Sequence, residues 1–173
     1  MSYAKSQGDA TSTSGSTIFT PYTSSHGDSA TVNGELWDGR CYAVPWPGET
    51  YIILEKDTGR AITLANGRLR LQEIQDDGNT QCHWLCVEAN GYFGFLNVKS
   101  GRYLGHNGEW NMRASASVLQ DWEYFTPRRH PKGGYQLLTP YYHHTLRGMT
   151  VANDGVSLVR KQHGATLWEF VKV

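Results

Sequence analysis

Two short runs of this sequence concentrate side chains that can carry chemistry. The run Tyr141, Tyr142, His143 and His144 combines phenol and imidazole groups, which can exchange protons or hydrogen-bond a ligand, and Asp154 follows it. The run from Arg128 to Lys132 is basic and would attract an acidic partner. We take these two runs as the source of the candidate binding residues, which are Arg128, Arg129, Lys132, Tyr141, Tyr142, His143, His144 and Asp154.

Catalysis is the less favoured interpretation of these residues. An enzyme needs an activated nucleophile or an acid–base pair within hydrogen-bond reach, and the sequence contains no nucleophile elbow, phosphate loop or zinc signature. His143 and His144 are adjacent, so on a strand they would face opposite sides and would not ligate one metal ion. We predict no catalytic residues, metal or cofactor, while an enzyme or inhibitor that uses Tyr141 to His144 stays open.

Charge and cysteine content narrow the class of partner. Sixteen basic residues balance sixteen acidic ones, so no overall field favours nucleic acid or an anionic membrane, and no run is apolar enough to span a bilayer. The three cysteines are an odd number, and the chain begins MSYAKSQGD without an apolar signal segment. These features predict a cytoplasmic protein whose partner is another protein or a glycan, and they leave its oligomeric state open.

A threefold repeat must position the candidate residues. Apolar residues recur at an interval of 42 positions, as in Tyr51, Phe93 and Tyr135, and each copy closes on a tryptophan. Copies of this kind are supersecondary units that bury their apolar faces against one another. The predicted core comprises Trp84, Trp122, Trp168, Ile62, Leu104 and Leu146.

Within each copy the apolar residues alternate with polar ones, which predicts strands. Asn66–Gly67 is a hairpin signal between two of them, and four short strands fit into each copy. Twelve strands with threefold pseudosymmetry predict an all-β fold, the β-trefoil. The predicted boundaries are a flexible Ser/Thr/Gly-rich tail at 1–32 and one domain at 33–173, with a lead-in at 33–48 and repeats at about 49–90, 91–132 and 133–173.

The second copy resembles a repeat of the fascin-like trefoils. Gly101-Arg102-Tyr103-Leu104 and Ala114-Ser115-Ala116-Ser117 ahead of Trp122 carry the resemblance, which extends over residues 49–173. Fascins bundle actin with four trefoils in one chain, so the resemblance implies a non-enzymatic interaction module that binds actin or another protein. The basic run at Arg128, Arg129 and Lys132 is the surface that such a partner would contact.

A second resemblance is to the ricin-B-type trefoils, to which many small intracellular fungal lectins are similar. Gln120-Asp121-Trp122 fits their Gln-x-Trp signature once, whereas the other two copies depart from it. This resemblance implies glycan binding through turn carboxylates and amides with an aromatic platform. Groups of these types, which turn chemistry also places, are Asp57, Asn97, Asn107, Trp110, Asn153 and Asp154.

Overall fold

The computed structural model describes residues 42–74, 80–142 and 145–173. The predicted tail, most of the lead-in, His143 and His144 lie outside these residues. The described chain forms twelve strands, as the sequence predicts. They are β1 (Thr50–Glu55), β2 (Ala61–Ala65), β3 (Arg68–Gln72), β4 (His83–Ala89), β5 (Tyr92–Asn97), β6 (Arg102–His106), β7 (Met112–Ala116), β8 (Thr126–Arg129), β9 (Tyr135–Tyr141), β10 (Thr145–Val151), β11 (Leu158–Lys161) and β12 (Trp168–Lys172).

Each repeat pairs its first strand with its last and projects its two middle strands as a hairpin. The outer pairings place Tyr51 opposite Trp84, Phe93 opposite Phe125 and Tyr135 opposite Trp168. The hairpins are β2–β3, β6–β7 and β10–β11. β1 also pairs with β12, so the first and last strands meet and the sheet closes on itself. No helix in the described residues is long and apolar enough to span a bilayer.

The core follows the predicted alternation for four of the six predicted residues. Trp84, Trp168, Ile62 and Leu104 are fully buried in one apolar cluster. The indole N–H of Trp84 donates to the carbonyl of Ile62 at 2.8 Å, and that of Trp168 donates to the carbonyl of Met149 at 3.1 Å. Each tryptophan thus fills the core while its one polar group is satisfied by the hairpin of its own repeat.

Trp122 was predicted in the core, and this prediction is wrong. Its side chain is 48% exposed, because it lies in a 3-10 turn (Asp121–Glu123) that precedes β8. Phe125 occupies the corresponding core position: it is fully buried, lies opposite Phe93 and contacts the ring of Phe95 edge-on at 5.5 Å. Three extra positions separate the exposed indole from the residue that closes the second repeat.

Leu146 was also predicted in the core and is 37% exposed. Met149 takes the place of Ile62 in the third repeat, since each carbonyl accepts the N–H of its repeat's tryptophan. Ile62 follows Ile53 by nine positions, whereas Met149 follows Leu137 by twelve. The segment between these two core positions is therefore three residues longer in the third repeat. The extra length lies in the strands β9 and β10 themselves, and it shifts the inward face of β10 away from Leu146.

Strand register reveals an arginine at a core position. Opposite Ile62 lies Leu71, and opposite Leu104 lies Ala114, and both partners are buried and apolar. Opposite Met149 the third repeat has Arg160, which is only 2% exposed. A charged side chain at a position that is apolar in the other repeats needs polar partners of its own.

Both described cysteines, Cys82 and Cys86, are buried. Cys86 lies in the main core cluster, and Cys82 lies in a second cluster with Leu54 and Val171. Burial raises the pKa of the Cys86 thiol to about 12, so this sulfur is neutral and unreactive at physiological pH.

Candidate functional site

Two aromatic rings enclose one guanidinium between the second and third repeats. The Arg147 guanidinium carbon lies 4.1 Å from the ring centroid of Trp110 and 3.3 Å from that of Tyr141. The ring of Tyr142 then meets Tyr141 edge-on, with centroids 4.4 Å apart. We call Trp110, Tyr141, Tyr142 and Arg147 the Trp110 cluster. Cation–π contacts of this kind hold an arginine and its aromatic neighbours in one arrangement.

The Trp110 cluster presents aromatic surface outward and charge inward. Trp110 is 54% exposed and Tyr142 is 80% exposed, whereas Arg147 is 9% exposed. Two large exposed aromatic side chains that belong to one cluster are unusual on a surface that needs only to be soluble. The cluster is therefore the described surface whose composition best suits ligand binding.

Arg160 lies beneath the cluster and fixes the loop that carries Trp110. Its Nε donates to the carbonyl of Glu109 and its Nη2 to the carbonyl of Gly108, each at 2.5 Å. Its backbone N–H donates to the carbonyl of Trp110 at 2.7 Å. Hydrogen bonds to three successive residues, two of them charge-assisted, hold the loop against β11 and so restrict the position of the indole.

The imidazole of His106 is also buried beside Arg160, and it is uncharged at neutral pH. Its Nδ1 accepts the backbone N–H of Gly108 at 2.9 Å, and its Nε2 lies 3.0 Å from Nη1 of Arg160. Burial, followed by the charges of Arg160 and Arg113, lowers the pKa of His106 to about 4. An arginine can only donate, so neither ring nitrogen has a partner that would favour a second proton.

Trp122 extends the surface on the other side of His106. The two rings lie 5.9 Å apart, and the guanidinium of Arg113 lies 5.5 Å from the Trp122 ring centroid. Glu123, the next residue, is buried, and burial raises the pKa of its carboxyl group. The Trp122 side chain thus covers a polar layer and does not contribute to the apolar core.

One lengthened loop and one hairpin with longer strands create this arrangement. Asn66 and Gly67 alone join β2 to β3, whereas residues 107–111 join β6 to β7. The longer loop is shaped by Asn107, whose Oδ1 accepts the backbone N–H groups of Glu109 and Asn111. The second difference is the hairpin of β9 and β10, whose strands have seven residues each; Tyr142 follows β9 at a positive φ of 52°. Both meet at the Trp110 cluster.

The corresponding position between the first and second repeats is an open cleft. Register relates Lys99, Arg102 and Ala114 to Tyr141, Arg147 and Arg160. The cleft has a volume of about 580 Å³, and amide, hydroxyl and cationic side chains supply most of its polar lining, namely Asn66, Gln81, Asn97, Lys99, Ser100, Arg102 and Ser115. The third repeat fills the equivalent space with the buried arginine and the aromatic side chains.

Asp154 does not join Tyr141 in one site. It lies in the turn after β10, whereas Tyr141 pairs with Thr145 at the opposite end of that seven-residue strand, roughly 20 Å away. The Asp154 carboxylate accepts hydrogen bonds from the Ser157 hydroxyl and from the backbone N–H groups of Val156 and Ser157, which lower its pKa to about 2. These contacts give Asp154 a turn-stabilising role.

The basic run is exposed but does not form one patch. Arg128 lies opposite Gln136 and Arg129 opposite Tyr135, so the two side chains alternate across β8 and face opposite sides. Lys132 is exposed in the turn that follows. Their part in binding stays a prediction. The described residues contain no group of three histidine, cysteine or acidic side chains placed to hold a metal ion.

The sequence predicts Tyr141 and Tyr142 as binding residues and offers Trp110 as an aromatic group for a glycan. Arg147 and Arg160 are not among the predicted binding residues. One feature of the sequence does indicate an unusual position for Arg160. It lies two residues after Leu158 in a strand, where the alternation predicts an apolar residue. No such signal marks Arg147. Because Leu146 was predicted in the core, the adjacent Arg147 was placed on the solvent-facing side of the same strand.

Several solved structures are similar to this chain in fold. A designed threefold-symmetric protein, ThreeFoil, matches with a TM-score of 0.59 and 17% identity over 72% of this chain and 99% of its own. The ricin B-like lectin of Macrolepiota procera, solved with lactose, matches with a TM-score of 0.58 and 15% identity over 75% of this chain and 98% of its own. The chain is a β-trefoil.

A third β-trefoil match is SeviL bound to asialo-GM1 saccharide, with a TM-score of 0.55 and 18% identity over 72% of this chain and 96% of its own. No protein-family profile and no curated protein sequence matches this β-trefoil. At these identities the similarity concerns the fold alone. Fascin-like ancestry and actin binding are not tested by these matches and stay predictions.

Proposed function

We propose that this β-trefoil is a saccharide-binding module whose contact surface is the Trp110 cluster. The observation that carries the proposal is the half-exposed indole of Trp110, held by the Arg147 guanidinium on one ring face and by an ordered loop at its backbone. The apolar C–H face of a sugar ring packs against such an indole, while the polar groups around it accept and donate hydrogen bonds to hydroxyls.

Rigidity supports this function, because an aromatic side chain that is already fixed loses little conformational entropy on binding. Trp110 is fixed twice: Arg160 bonds the carbonyls of the loop, and Arg147 stacks on the ring. Tyr142 adds a second exposed ring, which contacts the ring of Tyr141. Further support is that two β-trefoils of the same fold were solved with saccharides, SeviL with that of asialo-GM1 and the Macrolepiota procera lectin with lactose.

The test is a glycan array followed by titration of the best saccharide. Replacing Trp110→Ala should weaken binding about tenfold or more, the effect of losing a central aromatic contact. The matched control is Trp46→Ala, which removes another exposed tryptophan, 67% exposed, from the segment ahead of β1. This control should bind as the unmodified protein does.

Two results would overturn the proposal. One is the absence of saccharide binding by the folded protein on the array, and the other is equal affinity of the Trp110→Ala and unmodified proteins. Co-sedimentation with actin filaments in a sample that binds no saccharide would instead favour the protein-binding alternative.

A further inference from the structure

The charges around the Trp110 cluster are unbalanced. Arg147 and Arg160 are both more than nine-tenths buried, and Arg113 lies nearby on the far side of His106. The ion pairs of the described residues are Arg60 with Glu55 and Lys172 with Glu49, and neither involves these arginines. Buried cations are normally paired with an acidic group, so an arginine pair without a carboxylate is unusual.

The two arginines differ in the hydrogen bonds that their guanidinium N–H groups donate. Arg160 directs its donors to two backbone carbonyls and to His106. The Arg147 guanidinium lies against the rings of Trp110 and Tyr141 and makes no hydrogen bond or ion pair within the described residues. Among these residues no fully buried side-chain nitrogen lacks a hydrogen-bond partner, so the unpaired N–H groups of Arg147 are accessible to a ligand.

The second repeat does not bury its corresponding arginine in this way. Arg102 has the equivalent register position, is exposed, and donates to the carbonyl of Ser115 at 3.2 Å. Burying the same residue type between Trp110 and Tyr141, beside a second arginine, increases the strength of its electrostatic interactions because less water screens them. The proximity of Arg147 also contributes to lowering the pKa of Arg160, after burial.

We infer that the saccharide bound at the Trp110 cluster is acidic, and that its carboxylate or sulfate group is held by the guanidinium edge of Arg147. This inference rests on the proposed saccharide-binding function. A planar guanidinium edge matches the two oxygens of such a group through parallel N–H bonds, and the sugar ring beside that group would lie over Trp110.

The experiment compares neutral oligosaccharides with their sialylated, uronic-acid-containing and sulfated derivatives on one array, followed by titration of the best matched pair. The acidic member should bind about ten- to hundredfold more tightly than its neutral parent, the range expected for a charged hydrogen bond. The preferred derivative distinguishes carboxylate from sulfate. Raising the salt concentration should weaken binding of the acidic member more than that of the neutral one.

Two substitutions assign the effect to one residue. Arg147→Met should remove the preference for the acidic member, and Arg147→Lys, which keeps the charge but not the planar fork, should retain only part of it. Arg70→Met removes an exposed arginine of β3 and should leave the preference unchanged. Equal binding of acidic and neutral members by the unmodified protein would overturn the inference and leave the proposed function standing. Absence of saccharide binding would overturn both, and a preference that survives Arg147→Met would assign the acidic group to another residue.

Discussion

Acidification should destabilise this protein through one buried imidazole. In the folded state the pKa of His106 is about 4, whereas its ordinary value is 6.5. Between these two values the unfolded chain binds a proton that the folded chain does not bind, so the free energy of unfolding rises with pH. The contribution of His106 is complete above pH 6.5 and is lost progressively as the pH falls to about 4.

The magnitude follows from the difference between the two pKa values. At about 1.4 kcal/mol for each pKa unit, His106 accounts for about 3 kcal/mol across this window. That is a large part of the stability of a domain of this size, which is of the order of 5–15 kcal/mol. Protonation of His106 should destabilise the loop of Trp110 first, because Gly108 of this loop and Arg160, which holds the loop, contact the two ring nitrogens.

Urea unfolding at pH 7.0, 5.5 and 4.0 measures this effect. The control His106→Gln has no titrating group at this position, so its free energy of unfolding should vary less with pH by about the same 3 kcal/mol. His163→Gln replaces an exposed histidine and should retain the pH dependence of the unmodified protein. Identical pH profiles for His106→Gln and the unmodified protein would refute the reasoning.

Three further predictions concern the core. Phe125→Ala should cost about 3–5 kcal/mol in urea unfolding, whereas Trp122→Ala should cost about 1 kcal/mol, and the reverse order would restore Trp122 to the core. Gly105→Ala should lower the stability by about 1–3 kcal/mol, since its Cβ would lie 2.8 Å from the Trp122 carbonyl oxygen and 2.9 Å from a Glu123 carboxylate oxygen; an unchanged melting temperature would contradict this. Cys86, as the sole remaining cysteine, should react with a thiol reagent only after unfolding, and rapid labelling of the native protein would show it accessible.

The fold could be predicted because its determinants are local and repeated. Alternation of apolar and polar residues gave the strands, Asn66–Gly67 gave one hairpin, and the copies of the repeat gave the threefold arrangement. Two assumptions about this repeat produced the two errors. The fixed interval of 42 residues selected Leu146, but three extra residues between Leu137 and Met149 shift the inward position to Met149. Trp122 was selected because the other two copies close on a tryptophan, but it lies in the turn before β8, and Phe125 takes the inward position.

The candidate site was harder to predict for a physical reason. An arginine in a strand normally faces solvent, so neither Arg147 nor Arg160 could be assigned to the interior from its type. Their burial depends on contacts between repeats, with Trp110 and Tyr141 brought together across about thirty positions of sequence. Such contacts become apparent only once the loop at 107–111 and the hairpin of the third repeat are placed side by side.

The unequal lengths of the connections also bear on valency. A trefoil with three equivalent hairpins would offer equivalent ligand sites around its axis, whereas here the interface between the second and third repeats is built differently from the interface between the first and second. Under the proposed saccharide-binding function, the Trp110 cluster then provides one ligand site at the interface between the second and third repeats, and one site cannot link two ligands. High avidity for a surface that carries many copies of the ligand would therefore have to come from joining several such domains, and it would depend on the spacing between them.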